Sequence, residues 1–352
     1  MCTAPIPAST DLRATSFWSS GTGTGRLRTL PLRRPGPGEV LIQALHSGIS
    51  RGSESLVYAG RVPPAVAQSM RAPFQEGEFA GPVKYGYLSV GIVVELGSDT
   101  SESTLRVGQR VFTHFPHQDY YVVPLEAAYG IPDGVPSSRA VLGGVVETAI
   151  NVAWDAAPKW GDRIAIIGCG LIGASLCTLL RTFPLDRLVV VDPDPRSAPL
   201  ARDLGIEWRT PEGLTGDFDT VLHCSGTQEG LALGLSLLTF EGELIEVSWF
   251  GQHCPQVPLG ADFHVKRLTI RASQVSAVAT CTRHRRSRQD RMRLALQELH
   301  DPFYDSLLTG RTALVDLPQT MDSIACGRLP GWCHIVDYPP CTAGVEEASC
   351  SP

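Results

Sequence analysis

No apolar run in this chain approaches the roughly 20 residues needed to cross a bilayer, so no membrane-spanning helix is expected. Basic charge is also scarce. A net charge of −6 argues against a general binder of nucleic acid or anionic membranes. Cysteine pairs are missing although ten cysteines are present: there is no C-x-x-C and no cysteine–histidine cluster at zinc-finger spacing. Most of these cysteines are expected to be free, small hydrophobes, and the Cys341 to Cys350 tail carries no readable function. The first residues, MCTAPIPASTDLRATSFW, show no charged segment followed by an apolar core. No secretory signal is read there, and a cytoplasmic enzyme is expected. Charged residues make up only 19% and hydrophobic ones 43%, which excludes disorder and supplies a sizeable core. At 352 residues the chain has room for two domains.

The texture changes along the chain. Pro, Ser, Thr and Gly dominate residues 1–25, which read as poorly ordered. Short β runs follow, among them Leu27–Leu30, Val40–Ala44, Val90–Leu96, Arg110–Thr113 and Tyr120–Val123, with turns such as Pro35-Gly36-Pro37-Gly38 and Pro132-Asp133-Gly134 between them. Many short strands with frequent turns predict a β-barrel-like domain over 26–140. From Arg139 to Ala157 the pattern becomes helical. Thereafter strands and helices alternate, with strands at Ile164–Ile167, Leu188–Val191, Thr220–Cys224, Leu244–Val247 and Leu268–Ala272. That alternation predicts an α/β fold with a doubly wound parallel sheet over 141–287. A final segment, 288–340, reads as helix Gln289–Leu299, strand Ser306–Leu308, helix Leu317–Cys326 and strand His334–Tyr338, followed by a tail over 341–352. The basic run Arg283 to Arg288, with Arg291 and Arg293, reads as a solvated helix face.

The most informative stretch runs from Arg163 to Asp192. The apolar run Ile164–Ile167 ends directly in Gly168-Cys169-Gly170-Leu171-Ile172-Gly173, a helix-compatible stretch follows, and a β-branched run ends in Asp192. In such a strand–turn–helix, Gly168 permits the tight turn, Gly170 lets a pyrophosphate approach the backbone and Gly173 lets helix pack on strand. Free N–H groups at Leu171 and Ile172 then face the phosphates. Asp192, 19 residues after Gly173, is placed to accept hydrogen bonds from the adenosine ribose. A carboxylate there favours NAD, since it would repel a 2′-phosphate, although Arg196 leaves NADP open.

The order of these domains resembles the medium-chain dehydrogenase/reductase superfamily. The resemblance rests on Pro35 to Ile42 (PGPGEVLI), Ser47 to Arg51, Pro82 to Tyr87 with Gly91-Ile92-Val93, Gly108 to Val111, Ser225-Gly226 and Leu307-Leu308-Thr309. A zinc-less bacterial subgroup is similar at Ser50–Ser55, Val83–Tyr87 and Phe115–Asp119, and the bacteriochlorophyllide hydroxyethyl dehydrogenases are similar more distantly. The resemblance implies a GroES-like catalytic domain, a Rossmann domain, a C-terminal segment returning to the first domain, and a homodimer formed through an edge strand within 243–276. It also implies that Arg51 reaches the pyrophosphate. By the same resemblance Ser225 and Gly226 lie beside the adenosine half, Val247, Ser248 and Trp249 approach the nicotinamide, and Ser273-Gln274-Val275 closes its pocket.

The departures bear on the chemistry. Zinc-dependent members place cysteine and histidine where this chain has Ser50 and Tyr87. Only Glu147 matches a third ligand position, and no cysteine lies between Gly97 and Ala140 to build a structural-zinc lobe. Serine and tyrosine are poor zinc ligands, so no metal is expected. Another group must then act on the substrate oxygen. Tyr87 is the first candidate, as a proton donor or as a wall residue filling the metal's volume. Glu147 is the second, as acid/base, as orienter of Lys84 or Tyr87, or as a retained buried ion pair. Ser50 and Ser53 could relay a proton. His117, with His114, either reaches the substrate pocket, alongside Trp249, or is structural. The resulting expectation is a zinc-independent NAD(P)-linked oxidoreductase of an alcohol/carbonyl pair on a small-molecule substrate. A reductase of an activated C=C bond and a non-redox cyclase or lyase remain alternatives.

Overall fold

The computed structural model describes residues 12–79, 81–100, 104–251, 253–260 and 262–339. Expectations for the first eleven residues and for the 341–352 tail, with Cys341 and Cys350, lie outside these residues. Two compact units are formed: the chain up to Val141 together with Thr309 onward, and Leu142–Leu308.

The first unit is built on the strand Glu39–Ile49, which pairs antiparallel with Ser89–Leu96, Tyr120–Pro124 and Cys333–Asp337. Its alternate residues Val40, Ile42 and Ala44 point into one core with Val93, Val111, Tyr121 and Val336, as the two-residue period of a strand requires. Leu317, Met321 and Ile324, one face of the helix Leu317–Ala325, pack on the same core. Residues 12–25, expected to be poorly ordered, depart from that expectation. Arg13–Ser19 is a strand paired along its whole length with Gly25–Pro31. Ala14, Phe17 and Trp18 are buried there, and their burial outweighs the local Ser, Thr and Gly content. Arg51–Tyr58 is a helix.

The second unit holds six parallel strands in the spatial order Glu207–Arg209, Arg187–Val191, Arg163–Ile167, Phe218–His223, Leu238–Glu246 and Thr269–Ala272. Counted along the chain this is 3-2-1-4-5-6, the doubly wound dinucleotide-binding order. Its core strands are nearly continuous apolar runs, since both faces are covered. The helix expected over Arg139–Ala157 breaks into Ser137–Ala140 and Gly143–Ala156. The break falls next to Gly143-Gly144, which propagate a helix poorly. The expected strand Ser306–Leu308 is instead the end of a 3₁₀ helix, Pro302–Leu307, capped by Asp301, and the strand starts at Leu308. The helix Arg288–Glu298, expected to return to the first unit, stays in the second, where Arg291, Met292, Ala295 and Leu296 are buried. No helix among the described residues is long and apolar enough to cross a membrane.

Candidate active site

In the second unit the glycine turn has the shape its sequence demands. Gly168 takes φ +97°, and a side chain there would place Cβ 2.7 Å from the backbone of Ser225. At Gly173 a Cβ would lie 1.9 Å from the Gly168 carbonyl oxygen, so the helix Leu171–Leu180 rests directly on the turn. Gly170 is the N-cap, and nothing lies within 4 Å of its would-be Cβ. The N–H end of the helix, beginning at Leu171 and Ile172, thus opens on space that an anion can occupy. Asp192 braces this turn: its Oδ2 accepts from the Cys169 N–H at 2.5 Å and its Oδ1 from the Asp194 N–H at 2.8 Å. Arg196 is ion-paired with Asp194.

The carboxyl ends of the next strands are tied together. Gly226, at φ +65°, donates its N–H to Ser248 Oγ at 2.9 Å, and Val247 N–H donates to the His223 carbonyl at 3.0 Å. His223 shares a proton contact with Ser225 Oγ through Nε2 at 2.7 Å and with Glu246 through Nδ1 at 2.7 Å. Sequence reasoning missed His223 and Glu246, although both are final residues of neighbouring parallel strands, where ligands gather in such sheets. Ser273 Oγ donates to Asp155 at 2.6 Å, Gln274 accepts from Ser276 N–H at 2.7 Å, and Trp249 is exposed.

In the first unit Tyr87, Ser50 and Ser53 meet. The Tyr87 hydroxyl donates to Ser50 Oγ at 2.6 Å and lies 2.7 Å from Ser53 Oγ, which is 3.3 Å from Ser50 Oγ. Ser50 is the N-cap of the helix Arg51–Tyr58, which is why Ser50 and Ser53, three residues apart, share one face. Arg51 opens the same helix. Burial pushes the Tyr87 phenol up, the two serine hydroxyls pull it down, and Glu54 raises it further. Tyr87 is therefore a neutral donor at ordinary pH.

Three expected site residues have other employment. Lys84 is buried, with Nζ bonded to Glu76 at 2.5 Å and to Gln118 at 2.6 Å; burial lowers its pKa. It stands apart from the hydroxyl cluster because those acceptors capture it. His117, expected in a substrate pocket, is 1% exposed and bonded by Nδ1 to Ser47 Oγ at 2.6 Å and by Nε2 to Glu54 at 2.9 Å. Glu54, which the sequence did not single out, also accepts from the Ser50 N–H at 2.7 Å. Glu147, expected as acid/base, as orienter of Lys84 or Tyr87, or as a retained buried ion pair, takes the last of these and pairs with Arg291 at 3.1 Å. Arg291 is in turn no part of a solvated face, although Arg283, Arg285, Arg286, Arg288 and Arg293 are exposed.

Within the first unit Ser50 and Tyr87 are neutral hydroxyls bonded to one another, which are poor ligands for zinc; within the second, the Glu147 carboxylate is already held by a guanidinium. Among the described residues no group of three or more His, Cys, Asp or Glu side chains is placed to hold a metal.

No family model matches the chain. It is 36% identical over 101 residues to the 2-desacetyl-2-hydroxyethyl bacteriochlorophyllide A dehydrogenase of Cereibacter sphaeroides, covering 29% of this chain and 27% of that protein. With the D-guloside 3-dehydrogenase of Shigella flexneri it shares 24% identity over 206 residues, 54% of this chain and 58% of that one. The chain thus spans well under two thirds of these relatives' length. The sorbitol dehydrogenase of Ovis aries is 23% identical over 68% of this chain and 76% of its own. Among solved structures, 2R,3R-butanediol dehydrogenase from Bacillus subtilis superposes with a TM-score of 0.75 at 19% identity, covering 93% of this chain and 100% of that chain. An alcohol dehydrogenase from Escherichia coli in complex with NADH gives 0.74 at 16% identity, covering 92% and 99%. With its β-rich unit and its 3-2-1-4-5-6 parallel sheet, the chain has the alcohol dehydrogenase-like fold, and its sequence is similar to dehydrogenases with that fold.

Proposed function

We propose that this protein is a zinc-independent, NAD-linked oxidoreductase that interconverts an alcohol and a carbonyl on a small molecule. The observation that carries the proposal is the open glycine turn with Asp192 folded against it. A carboxylate offers about four acceptor sites, and the two backbone bonds to Asp192 leave capacity for ribose hydroxyls. The pairing of Arg196 with Asp194 withdraws the nearby cation from a 2′-phosphate, which favours NAD over NADP.

A bound nicotinamide supplies or accepts the hydride. The oxygen chemistry falls to the chain's own residues. In the reducing direction the Tyr87 hydroxyl gives its proton to the developing alkoxide and recovers one from solvent water relayed through Ser53, whose own hydroxyl is restored in the same relay; in oxidation the proton runs the other way. Ser50 holds the phenol in place. We also assign this protein to homodimers joined through the exposed edge strand Thr269–Ala272, which light scattering of the purified protein tests.

Fluorescence titration of chelator-treated protein with NADH and then NADPH tests the cofactor assignment. Tight NADH and weak NADPH binding is expected, followed by turnover of alcohols or ketones without added metal. A protein that binds neither nucleotide is not an oxidoreductase of this kind. Preference for NADPH overturns the role of Asp192 and favours double-bond reduction. Activity that disappears on chelation and returns with zinc overturns metal independence.

A further inference from the structure

The guanidinium of Arg291 is 1% exposed and sits at the meeting point of three segments of the second unit. From the helix Gly143–Ala156 it takes Glu147 Oε1, with Nε and Nη2 both at 3.1 Å, and Asn151 Oδ1. From the loop after the last parallel strand it takes the carbonyl oxygens of Val275 at 2.6 Å and Ala277 at 3.3 Å. Its own helix, Arg288–Glu298, begins in a capping box, Ser287 with Asp290, which fixes the position of Arg291 one turn into the helix. The same loop is held at two further points. Ser273 Oγ donates to Asp155 at 2.6 Å, and the Ala279 N–H donates to Asn151 Oδ1 at 3.1 Å.

Asn151 and Asp155, one turn apart on one helix, therefore hold the loop 273–279 directly, and Arg291, itself held by Glu147 and Asn151, joins two of the loop's carbonyls to that helix. A buried cation whose hydrogen bonds go partly to loop carbonyls is costly to assemble unless its geometry is fixed. The loop follows the carboxyl end of the edge strand, beyond the switch point between Arg163–Ile167 and Phe218–His223. In a doubly wound sheet a dinucleotide whose adenosine lies at Asp192 extends its other half toward that side.

We propose that Arg291 is a positioning residue for the nicotinamide half of the cofactor. In this chain Glu147 serves as its countercharge, and together they set the loop 273–279 against which the nicotinamide rests. This rests on the nicotinamide-binding function proposed above.

Removing either partner alone would strand the other's buried charge, so the test uses the double variant Glu147→Gln/Arg291→Met, which leaves no buried charge. Two readouts are taken on each folded protein: amide hydrogen exchange of residues 273–279 without nucleotide, and affinity for NADH and for ADP-ribose. In the double variant loop exchange should quicken and NADH affinity should fall by about tenfold or more, the equivalent of one good polar interaction, while ADP-ribose affinity stays unchanged. Unchanged loop exchange in the double variant overturns the positioning role. Equal losses for NADH and ADP-ribose overturn it too, because the guanidinium would then support the whole domain. Quickened exchange in a protein whose wild type never binds NADH upholds the loop contact but overturns the cofactor reading and, with it, the assigned purpose.

Discussion

At the scale of single residues, the proton held between Tyr87, Ser50 and Ser53 is the centre of the proposed chemistry. Burial keeps the phenol protonated, and a neutral phenol can give its proton only to an oxygen more basic than itself, such as a developing alkoxide. Tyr87→Phe preserves the ring and removes that proton. Turnover should fall by about ten- to a thousand-fold while NADH affinity is retained, the range expected for a lost acid or oxyanion donor. Steady-state kinetics with a parallel binding titration checks this, and full activity would reduce Tyr87 to packing. The sequence showed this residue because its position differs in kind from a metal ligand. It could not show partners. Lys84, His117 and Glu147 carry chemistry-bearing side chains, but Glu76, Glu54 and Arg291 already hold them, across separations of up to 144 residues that no local pattern records.

At the scale of elements, the strand–turn–helix at Arg163–Leu180 works because helix and turn touch with no room between them. Gly173→Ala puts a methyl group 1.9 Å from the Gly168 carbonyl oxygen, so the helix must lift off the turn. Overpacking of this kind costs about 1–3 kcal/mol, and it moves the N–H groups that a pyrophosphate needs. The variant should remain folded with a lowered melting temperature and lose dinucleotide binding; calorimetry with NADH measures both. Asp192→Ser tests the partner element, because it removes the proposed ribose acceptor and the brace on Cys169. A marked loss of NADH affinity is expected, and unchanged affinity would refute the ribose role. This element was legible because every cause is local: periodicity, glycine spacing and a terminal acid. The strand Arg13–Ser19 was not, since its stability comes from the burial of Phe17 and Trp18 rather than from its Ser- and Thr-rich composition. Nor was the buried end of Arg291 visible inside an otherwise exposed basic run.

At the scale of the whole molecule, the two-unit plan was readable from the switch between strand-rich and alternating segments, whereas the residues at which the chain changes unit were not. The helix Arg288–Glu298 stays in the second unit because a buried guanidinium and an apolar face commit it there. Both units share one chemical vulnerability. Burial raises the phenols of Tyr85, Tyr87 and Tyr338 in the first unit and Tyr304 in the second, and pushes Tyr121 up to about 12 from an ordinary 10.0. A phenol raised in the folded state favours folding fully while the pH stays below its unfolded value. Above that value the unfolded chain releases protons that the folded chain keeps, so stability falls as pH climbs toward the folded value, by about 1.4 kcal/mol per group per pH unit. With several such groups acting together, the melting temperature should hold steady through mildly alkaline solution and drop steeply above about pH 10. Phenolate absorbance followed during the same pH titration should rise together with the loss of helical circular dichroism. Phenolate that appears well before unfolding would show that these hydroxyls reach water in the native protein, and Tyr87 would then be an ionisable surface group rather than the sheltered donor that carbonyl reduction requires.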